Sequence, residues 1–170
     1  MQPISSEFLV KKYNLQPHPE GGFYAETYRS PELIVHSALP DRFNGDRAFA
    51  TAIYFLLPSG ALSALHRIHS DEVWHFYAGD PLELVMISPA GESTTVFIGN
   101  DPSLGQHFQF VVPAGYWFAS RCTVADGGYS FVGCTVAPGF DFADFEMAKR
   151  QELSQRFPQH ELLIKEFTHD

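Results

Sequence analysis

The residues best suited to chemistry lie in one short stretch of the chain. Three histidines and one glutamate fall within ten residues, between two glycines. The set is His66, His69, Glu72 and His75, flanked by Gly60 and Gly79. Imidazole and carboxylate groups bind divalent metal ions, and they also exchange protons with a substrate near neutral pH. The stretch therefore predicts a metal site or an acid–base site.

The elements that must position these side chains are strands. Runs rich in Val, Ile, Phe, Tyr and Thr predict strands over residues 23–28, 49–57, 63–68, 72–77, 82–87, 94–98, 107–112, 117–120 and 129–136. Turn clusters containing Pro and Gly separate them at the spacing of a sandwich or barrel. Ser5 caps a predicted helix that ends at Tyr13, and helical spacing predicts helices over 144–156 and 159–167.

Three segments carry a resemblance to a known superfamily. Residues 18–30 are His-Pro-Glu-Gly-Gly-Phe-Tyr-Ala-Glu-Thr-Tyr-Arg-Ser, residues 66–81 are His-Arg-Ile-His-Ser-Asp-Glu-Val-Trp-His-Phe-Tyr-Ala-Gly-Asp-Pro, and residues 112–117 are Val-Pro-Ala-Gly-Tyr-Trp. The chain resembles the cupin superfamily, and within it the small single-domain cupins labelled a domain of unknown function. The resemblance implies an all-β fold, a cupin jelly-roll barrel (double-stranded β-helix) with short N-terminal and C-terminal helices. It also implies a homodimer.

On this basis we expect one domain over residues 1–170, with the barrel core at about 18–138 and the C-terminal helices within about 141–167. Strand alternation then places His66 and Ile68 on one face, and Glu72, Trp74 and Phe76 on one face of the next strand. The resemblance implies that these faces line the barrel.

The resemblance implies a metal site of three histidines and one glutamate, and this sequence departs from it. His66 and Glu72 occupy two of the four positions. Ile68 and Phe118 stand where the other two histidines belong.

A divalent metal would therefore need His69 or His75 beside His66 and Glu72, a set that suits iron, manganese or zinc. Alternation opposes this, because His75 points to the other sheet face unless a bulge re-aims it, and His69 lies in the loop. We expect no cofactor, with a divalent metal as the alternative.

Without a metal, His66 and Glu72 are the candidate catalytic pair. A carboxylate among aromatic side chains tends to a raised pKa, and a neighbouring imidazole exchanges protons with it. The pair resembles that of metal-free cupins that epimerise nucleotide-linked keto-sugars, which use a histidine base and a tyrosine acid. Candidate tyrosines are Tyr24, Tyr28 and Tyr77. The predicted ligand pocket comprises Tyr24, Glu26, Arg29, Trp74, His75, Phe76 and Phe118.

These residues predict a cupin that binds a small polar ligand, carbohydrate-like or a small acid, and isomerises or epimerises it. A metal-dependent oxygenase or isomerase and a non-catalytic binding protein are the alternatives. A purely structural alternative for Glu72 is a buried ion pair with Arg29 or Arg67.

Composition excludes other classes of function. The net charge is -9 and the 11 Lys and Arg residues nowhere cluster, which argues against nucleic-acid binding. No apolar run approaches the ~20 residues that a membrane helix needs. We expect a soluble cytoplasmic protein whose Cys122 and Cys134 are reduced, although a hairpin between them would bring them near each other.

Other residues form secondary candidates. The turn 18–22 joins Glu20 to two glycines, Gly21 and Gly22, whose backbone can approach a ligand or another chain closely. The resemblance implies that it lies near the pocket or the dimer contact. Four histidines are predicted at the surface: His36, His107, His160 and His169. Four phenylalanines are predicted in the core rather than the pocket: Phe108, Phe110, Phe131 and Phe142.

Overall fold

The computed structural model of the protein describes residues 4–169, which are built mainly of short strands. The strands are β1 (Gln16–Pro17), β2 (Phe23–Arg29), β3 (Leu33–Ile34), β4 (Arg47–Ala48), β5 (Thr51–Pro58), β6 (Leu62–Arg67), β7 (Asp71–Gly79), β8 (Leu82–Ile87), β9 (Ser93–Ile98), β10 (Gln106–His107), β11 (Gln109–Val112), β12 (Trp117–Cys122), β13 (Tyr129–Ala137) and β14 (Glu146–Met147). The helices are α1 (Ser6–Tyr13), α2 (Arg150–Arg156) and α3 (Glu161–Glu166).

Twelve of these strands form two six-stranded sheets. The first sheet has the order β1-β2-β5-β13-β7-β11, and the second has the order β10-β9-β8-β12-β6-β14. Neighbours are antiparallel except β9 and β10, which are parallel. The two sheets face each other across a shared core, as in a jelly roll. This confirms the all-β cupin-like prediction; the single-domain assignment stays a prediction.

Strand alternation divides each sheet into an inner and an outer face. In β5, Phe55 and Leu57 enter the core between the sheets, whereas Leu56 packs outward against Leu9 of α1. Helices α2 and α3 cover the outer face of the second sheet through Leu153 and Ile164. The strand residues beneath these helices are therefore buried on both faces of the sheet, whereas outer-face residues beyond them, such as Tyr77 and Phe97, are about half exposed.

The nine predicted strands all occur, with one interruption. The run 107–112 breaks at Phe108, because the chain leaves β10 in the second sheet and enters β11 in the first. At this crossing the Phe108 side chain is 58% exposed, so its predicted core position is wrong. Phe131 is buried as predicted, and Phe110 packs partly buried against the core.

The predicted helix over 144–156 is wrong in its first half. A helix begins only at Arg150, and Glu146–Met147 is instead the edge strand β14. This segment pairs with His66 and Arg67 of β6, and Glu146 also forms an ion pair with Arg67. Completing the sheet edge satisfies backbone groups that a helix here would have left open on β6.

Two further predictions concern the two cysteines and the possibility of a membrane-spanning helix. Strands β12 and β13 lie in different sheets, so no hairpin joins Cys122 and Cys134; both are buried and free, as predicted for reduced thiols. Between residues 4 and 169, no helix has the length and apolar character needed to cross a membrane.

Candidate functional site

A cavity of about 430 Å³ opens at one end of the barrel. Its walls come from the turn before β2, from β2, β5, β6, β7 and β13, and from residues 140–145 after β13. The titratable or polar side chains on the wall are His18, Glu20, Tyr24, Glu26, Arg29, Thr51, His66, Glu72, Cys134 and Asp141. The cavity therefore combines an apolar barrel interior with a concentration of polar groups, as small-molecule sites do.

His66 is 2% exposed, and protein acceptors occupy both of its ring nitrogens. Its Nδ1 lies 2.7 Å from the Ala64 carbonyl oxygen, and its Nε2 lies 2.9 Å from Oε2 of Glu20. Because a carbonyl and a carboxylate only accept, both nitrogens donate and the ring is an imidazolium. Burial alone would lower the His66 pKa, but the charge and hydrogen bond of Glu20 outweigh it and raise that pKa.

Glu20 is the fixed counter-ion of His66. Ser63 donates its hydroxyl to Oε1 of Glu20 at 2.8 Å, so both carboxylate oxygens have partners. Burial would raise the pKa of Glu20, but the charge and hydrogen bond of His66 and the hydrogen bond of Ser63 hold it below its ordinary value. The site thus contains a buried ion pair whose charges cancel.

The turn that carries Glu20 depends on glycine. Gly21 has φ +113°, and a Cβ there would collide with the Leu62 carbonyl oxygen of β6. This close approach lets the Ala64 amide donate to the Glu20 carbonyl at 2.9 Å. The backbone of the turn is therefore joined to β6 at the strand that carries His66.

His18 of the same turn is neutral. The backbone amide of Glu20 donates to its Nδ1 at 3.3 Å, so that nitrogen carries no proton. Burial also lowers the pKa of His18, which favours the neutral form of the ring. The turn therefore adds one carboxylate to the cavity and no cation.

Glu72 is as buried as Glu20, at 7% exposed, but it has weaker partners. The Cys134 thiol of the neighbouring strand β13 acts on its carboxyl group and lowers its pKa. Burial raises the pKa of Glu72 to about 7; the charge of His66 opposes this rise, and the charge of Glu20 adds to it. Glu72 therefore changes its protonation state near neutral pH.

The predicted structural alternative for Glu72 is wrong. Arg29 forms its ion pair with Glu26, and Arg67 forms its pair with Glu146 on the outer side of β6. Neither guanidinium reaches Glu72, so the carboxyl group faces the cavity without an arginine.

The donor atoms do not match a three-histidine, one-glutamate metal site. Phe118 is the cross-strand partner of His66, with ring centroids 4.1 Å apart, and Ile68 lines the cavity. Nδ1 of His69 lies 3.2 Å from Oδ1 of Asp144. His75 lies on the outer face of the sheet, where its Nε2 is 3.1 Å from the Thr135 hydroxyl oxygen. The structure therefore brings neither substitute histidine to His66 and Glu72.

Only part of the predicted pocket lines the cavity. Tyr24, Glu26 and Arg29 do so, whereas Trp74, His75, Phe76 and Phe118 do not. Trp74 is 1% exposed and packs edge-to-face between the rings of Phe55 and Phe118. Trp74, Phe76 and Phe118 belong to the packed core, so these side chains fill the barrel beyond the cavity.

The three candidate tyrosines separate clearly. Tyr28 and Tyr77 are about half exposed and lie away from the cavity wall. Tyr24 lines it, with its ring edge-to-face with His18 at 4.6 Å. Of the three candidates, Tyr24 is therefore the one placed to act as the predicted tyrosine acid.

Sequence reasoning missed the aromatic rim of the cavity, defined here as Phe140, Phe142 and Phe145. The three rings contact one another edge-to-face at 5.0 to 6.2 Å. Phe142 is 52% exposed at the mouth, so its predicted core position is wrong. The signal was the cluster of phenylalanines in Gly-Phe-Asp-Phe-Ala-Asp-Phe directly after a strand.

The remaining predicted surface histidines lie outside the cavity. His36, His107 and His169 are exposed, whereas His160 is half-buried with Nε2 2.8 Å from the Gly91 carbonyl oxygen. His169 Nε2 lies 3.4 Å from the Glu20 carbonyl oxygen, which connects the C-terminal segment to the turn beside the site.

Comparison with known proteins agrees with this architecture. A family model described as "Cupin superfamily (DUF985)" matches residues 7–148. The uncharacterized protein YML079W of Saccharomyces cerevisiae is 30% identical over 159 residues, which cover 88% of this chain and 78% of the yeast protein.

Two solved structures are similar over nearly the whole chain. The protein SO0799 of Shewanella oneidensis has a TM-score of 0.87 and 38% identity, covering 98% of this chain and 99% of that one. A hypothetical protein from Leishmania major has a TM-score of 0.89 and 36% identity, covering 98% and 100% respectively. Their names assign no ligand or reaction.

Proposed function

The chain belongs to the Cupin_5 family (DUF985) of the cupin superfamily, and from this premise we propose that its barrel binds one small polar molecule and exchanges protons with it. The observation that carries the proposal is Glu72, a buried carboxyl group on the cavity wall without a protein cation of its own. Its pKa of about 7 makes both protonation states available at physiological pH.

The hydrogen bonds of His66 indicate which of the two residues, His66 or Glu72, can transfer a proton. Both ring nitrogens of His66 are engaged, so it has no free lone pair with which to remove a proton. Its imidazolium charge instead favours the ionised form of Glu72. Glu72 is the proton carrier, and His66 with Glu20 positions and tunes it.

The reaction class that suits this arrangement is a proton shift beside a carbonyl group. The Glu72 carboxylate takes a proton from the carbon next to the carbonyl, and the C–H electron pair forms an enolate. For an epimerisation, Tyr24 delivers its phenol proton to the other face of the same carbon, and solvent then reprotonates Tyr24 while Glu72 releases its proton. For an isomerisation, the proton returns from Glu72 to the former carbonyl carbon, while the proton of the neighbouring hydroxyl group moves to the former carbonyl oxygen. The sum is an isomerisation or epimerisation that needs no redox partner.

The test is proton exchange with solvent. Ketoses, aldoses and 2-keto acids are incubated with the protein in D₂O, and uptake of deuterium is followed by mass spectrometry. We expect at least one compound to exchange faster with the wild type and to lose the acceleration in Glu72→Gln. Glu83→Gln is the control, because Glu83 pairs with Arg121 outside the cavity. Acceleration that survives in Glu72→Gln contradicts the proposal.

A non-catalytic binding protein is the second candidate. The aromatic rim favours it, because Phe142 exposes an apolar ring at the mouth of the cavity, where a ligand can pack against it. This function predicts saturable ligand binding without any solvent exchange, and a larger loss of affinity in Phe142→Ala than in Glu72→Gln.

We also propose that the protein acts in the cytoplasm as a homodimer. Its support is the family resemblance together with three aromatic side chains that are about half exposed, Tyr28, Phe49 and Tyr77. Sedimentation velocity at micromolar concentration measures the mass directly, and a single-chain mass of 19.1 kDa would contradict the dimer.

A further inference from the structure

The cations of the cavity are already neutralised by protein carboxylates. Arg29 contacts Glu26 through two bonds, Nε to Oε1 at 3.1 Å and Nη2 to Oε2 at 2.7 Å, and it also donates to the Phe140 carbonyl oxygen. His66 donates to Glu20 as described. These bonds of Arg29 use Nε and Nη2 and leave out Nη1, so an anionic ligand would compete with Glu26 or Glu20 for a cation that an ion pair already holds.

The remaining charges on the wall are negative. Asp141 stands at the mouth with Oδ1 accepting from the Ala143 amide at 2.8 Å, and Glu72 adds a further partial charge near pH 7. The third possible cation, His18, is neutral because its Nδ1 accepts a backbone hydrogen bond. Three carboxylates (Glu20, Glu26 and Asp141) therefore oppose two cations before Glu72 is counted, so a phosphate or carboxylate entering the cavity meets repulsion.

The uncharged features of the cavity suit a hydroxylated ring. The aromatic rim presents apolar ring surface that can pack against the C–H face of a sugar. Glu72, Asp141 and the Tyr24 phenol supply acceptors and a donor for hydroxyl groups. The volume of about 430 Å³ lies near the lower end of the roughly 300–1,000 Å³ seen in small-molecule pockets.

We propose that the cavity selects uncharged, hydroxylated ring compounds, of which free sugars are the chemical class, and excludes their phosphorylated or carboxylated derivatives. This inference rests on the proposed function, because it specifies the ligand of the same cavity. The proposed function allows any small polar molecule as ligand, whereas this inference allows only molecules without an anionic group. Nucleotide-linked sugars carry phosphate groups and are therefore excluded as ligands.

Matched pairs of ligands test the charge selection. Glucose, mannose, galactose and fructose are compared with their 6-phosphates by saturation-transfer NMR and calorimetry at millimolar concentration. We expect at least one free sugar to bind the wild type and its phosphate to bind at least about tenfold more weakly. Equal or tighter binding of the phosphate, or no binding by any free sugar, overturns the inference.

A charge variant tests the cause. Glu26→Gln releases Arg29 from its partner, and because this ion pair is more than 40% exposed on both sides, the variant is expected to fold. We expect it to gain at least about tenfold in affinity for the sugar phosphates, with little change for the free sugars. Glu83→Gln, which removes one of the two carboxylate partners of Arg121 outside the cavity, is the control and is expected to gain nothing. An unchanged phosphate affinity in Glu26→Gln contradicts the assigned cause.

The outcomes separate this inference from the proposed function. If a 2-keto acid binds and exchanges protons through Glu72 while no free sugar binds, the proposed function stands and the charge selection is wrong. If a free sugar binds but no exchange occurs, the charge selection stands and proton transfer is wrong.

Discussion

The two walls of the cavity hold equally buried carboxylates in opposite states. On the wall built from the 18–22 turn and β6, Glu20 has an imidazolium and a hydroxyl as partners, and its pKa is held below the ordinary value. On the wall built from β7 and β13, Glu72 has only a thiol beside it, and burial raises its pKa to about 7. Similar burial thus gives a fixed charge on one side and a titrating group on the other, because hydrogen-bond partners decide the outcome.

Removing the fixed charge of Glu20 should lower the free energy of unfolding more than any other change described below. Glu20→Ala leaves the His66 imidazolium without its counter-ion and the Ser63 hydroxyl without its acceptor. We expect the free energy of unfolding at pH 7 to fall by about 3–5 kcal/mol, measured by urea denaturation. Glu26→Ala removes the exposed partner of Arg29 and should cost under about 1 kcal/mol. Comparable losses in the two variants would show that the Glu20 wall is not a buried ion pair.

Neutralising the titrating group should change the pH dependence of stability. The folded pKa of Glu72, about 7, exceeds its ordinary value of 4.5, so the folded state holds this proton more tightly. The stability from this group is complete below pH 4.5 and is lost as the pH rises through 7. The loss is at most roughly 3 kcal/mol, and Glu72→Gln should remove it.

The measurement is the free energy of unfolding of wild type and Glu72→Gln at pH 5, 6, 7 and 8. His66, Glu20 and Cys134 are the titratable groups that act on Glu72, and all three remain in the variant. Glu83→Gln should keep the wild-type slope. A slope in Glu72→Gln equal to that of the wild type would mean that Glu72 does not titrate in this range.

The smallest expected effect concerns the thiol beside Glu72. The Cys134 thiol lowers the pKa of Glu72, so Cys134→Ala should raise that pKa slightly. Carboxyl-labelled glutamate and a ¹³C NMR titration measure this, with the Glu72 signal identified by its loss in Glu72→Gln. Cys122→Ala removes a buried thiol in the other sheet and should leave the titration unchanged. A lower Glu72 pKa in Cys134→Ala would contradict this effect of the thiol.

The sequence predicted the fold well because its signals are local. Alternating apolar residues and turn clusters define the strands, and the same alternation places His66 and Glu72 on inner faces. Alternation gives the face of a residue but not its depth along the barrel. Trp74 and Phe118 therefore lie on the predicted face and yet belong to the packed core beyond the cavity.

The contact between Glu20 and His66 could not be predicted from local pattern. The two residues are far apart in sequence, and they meet because a glycine turn lies against the backbone of β6. The segment 18–22 was recognisable as unusual from its paired glycines, but its partner was not. For the same reason the edge strand β14 was predicted as helix, since only the open edge of β6 determines its conformation.

Two segments from the C-terminal part of the chain form hydrogen bonds with the backbone of Leu65, next to His66. Its amide donates to the Phe167 carbonyl oxygen at 2.7 Å, and its carbonyl accepts from the Ala148 amide at 2.8 Å. The C-terminal part of the chain is therefore part of the support of the strand that carries the imidazolium, and we expect its removal to loosen β6 as well as the helices themselves.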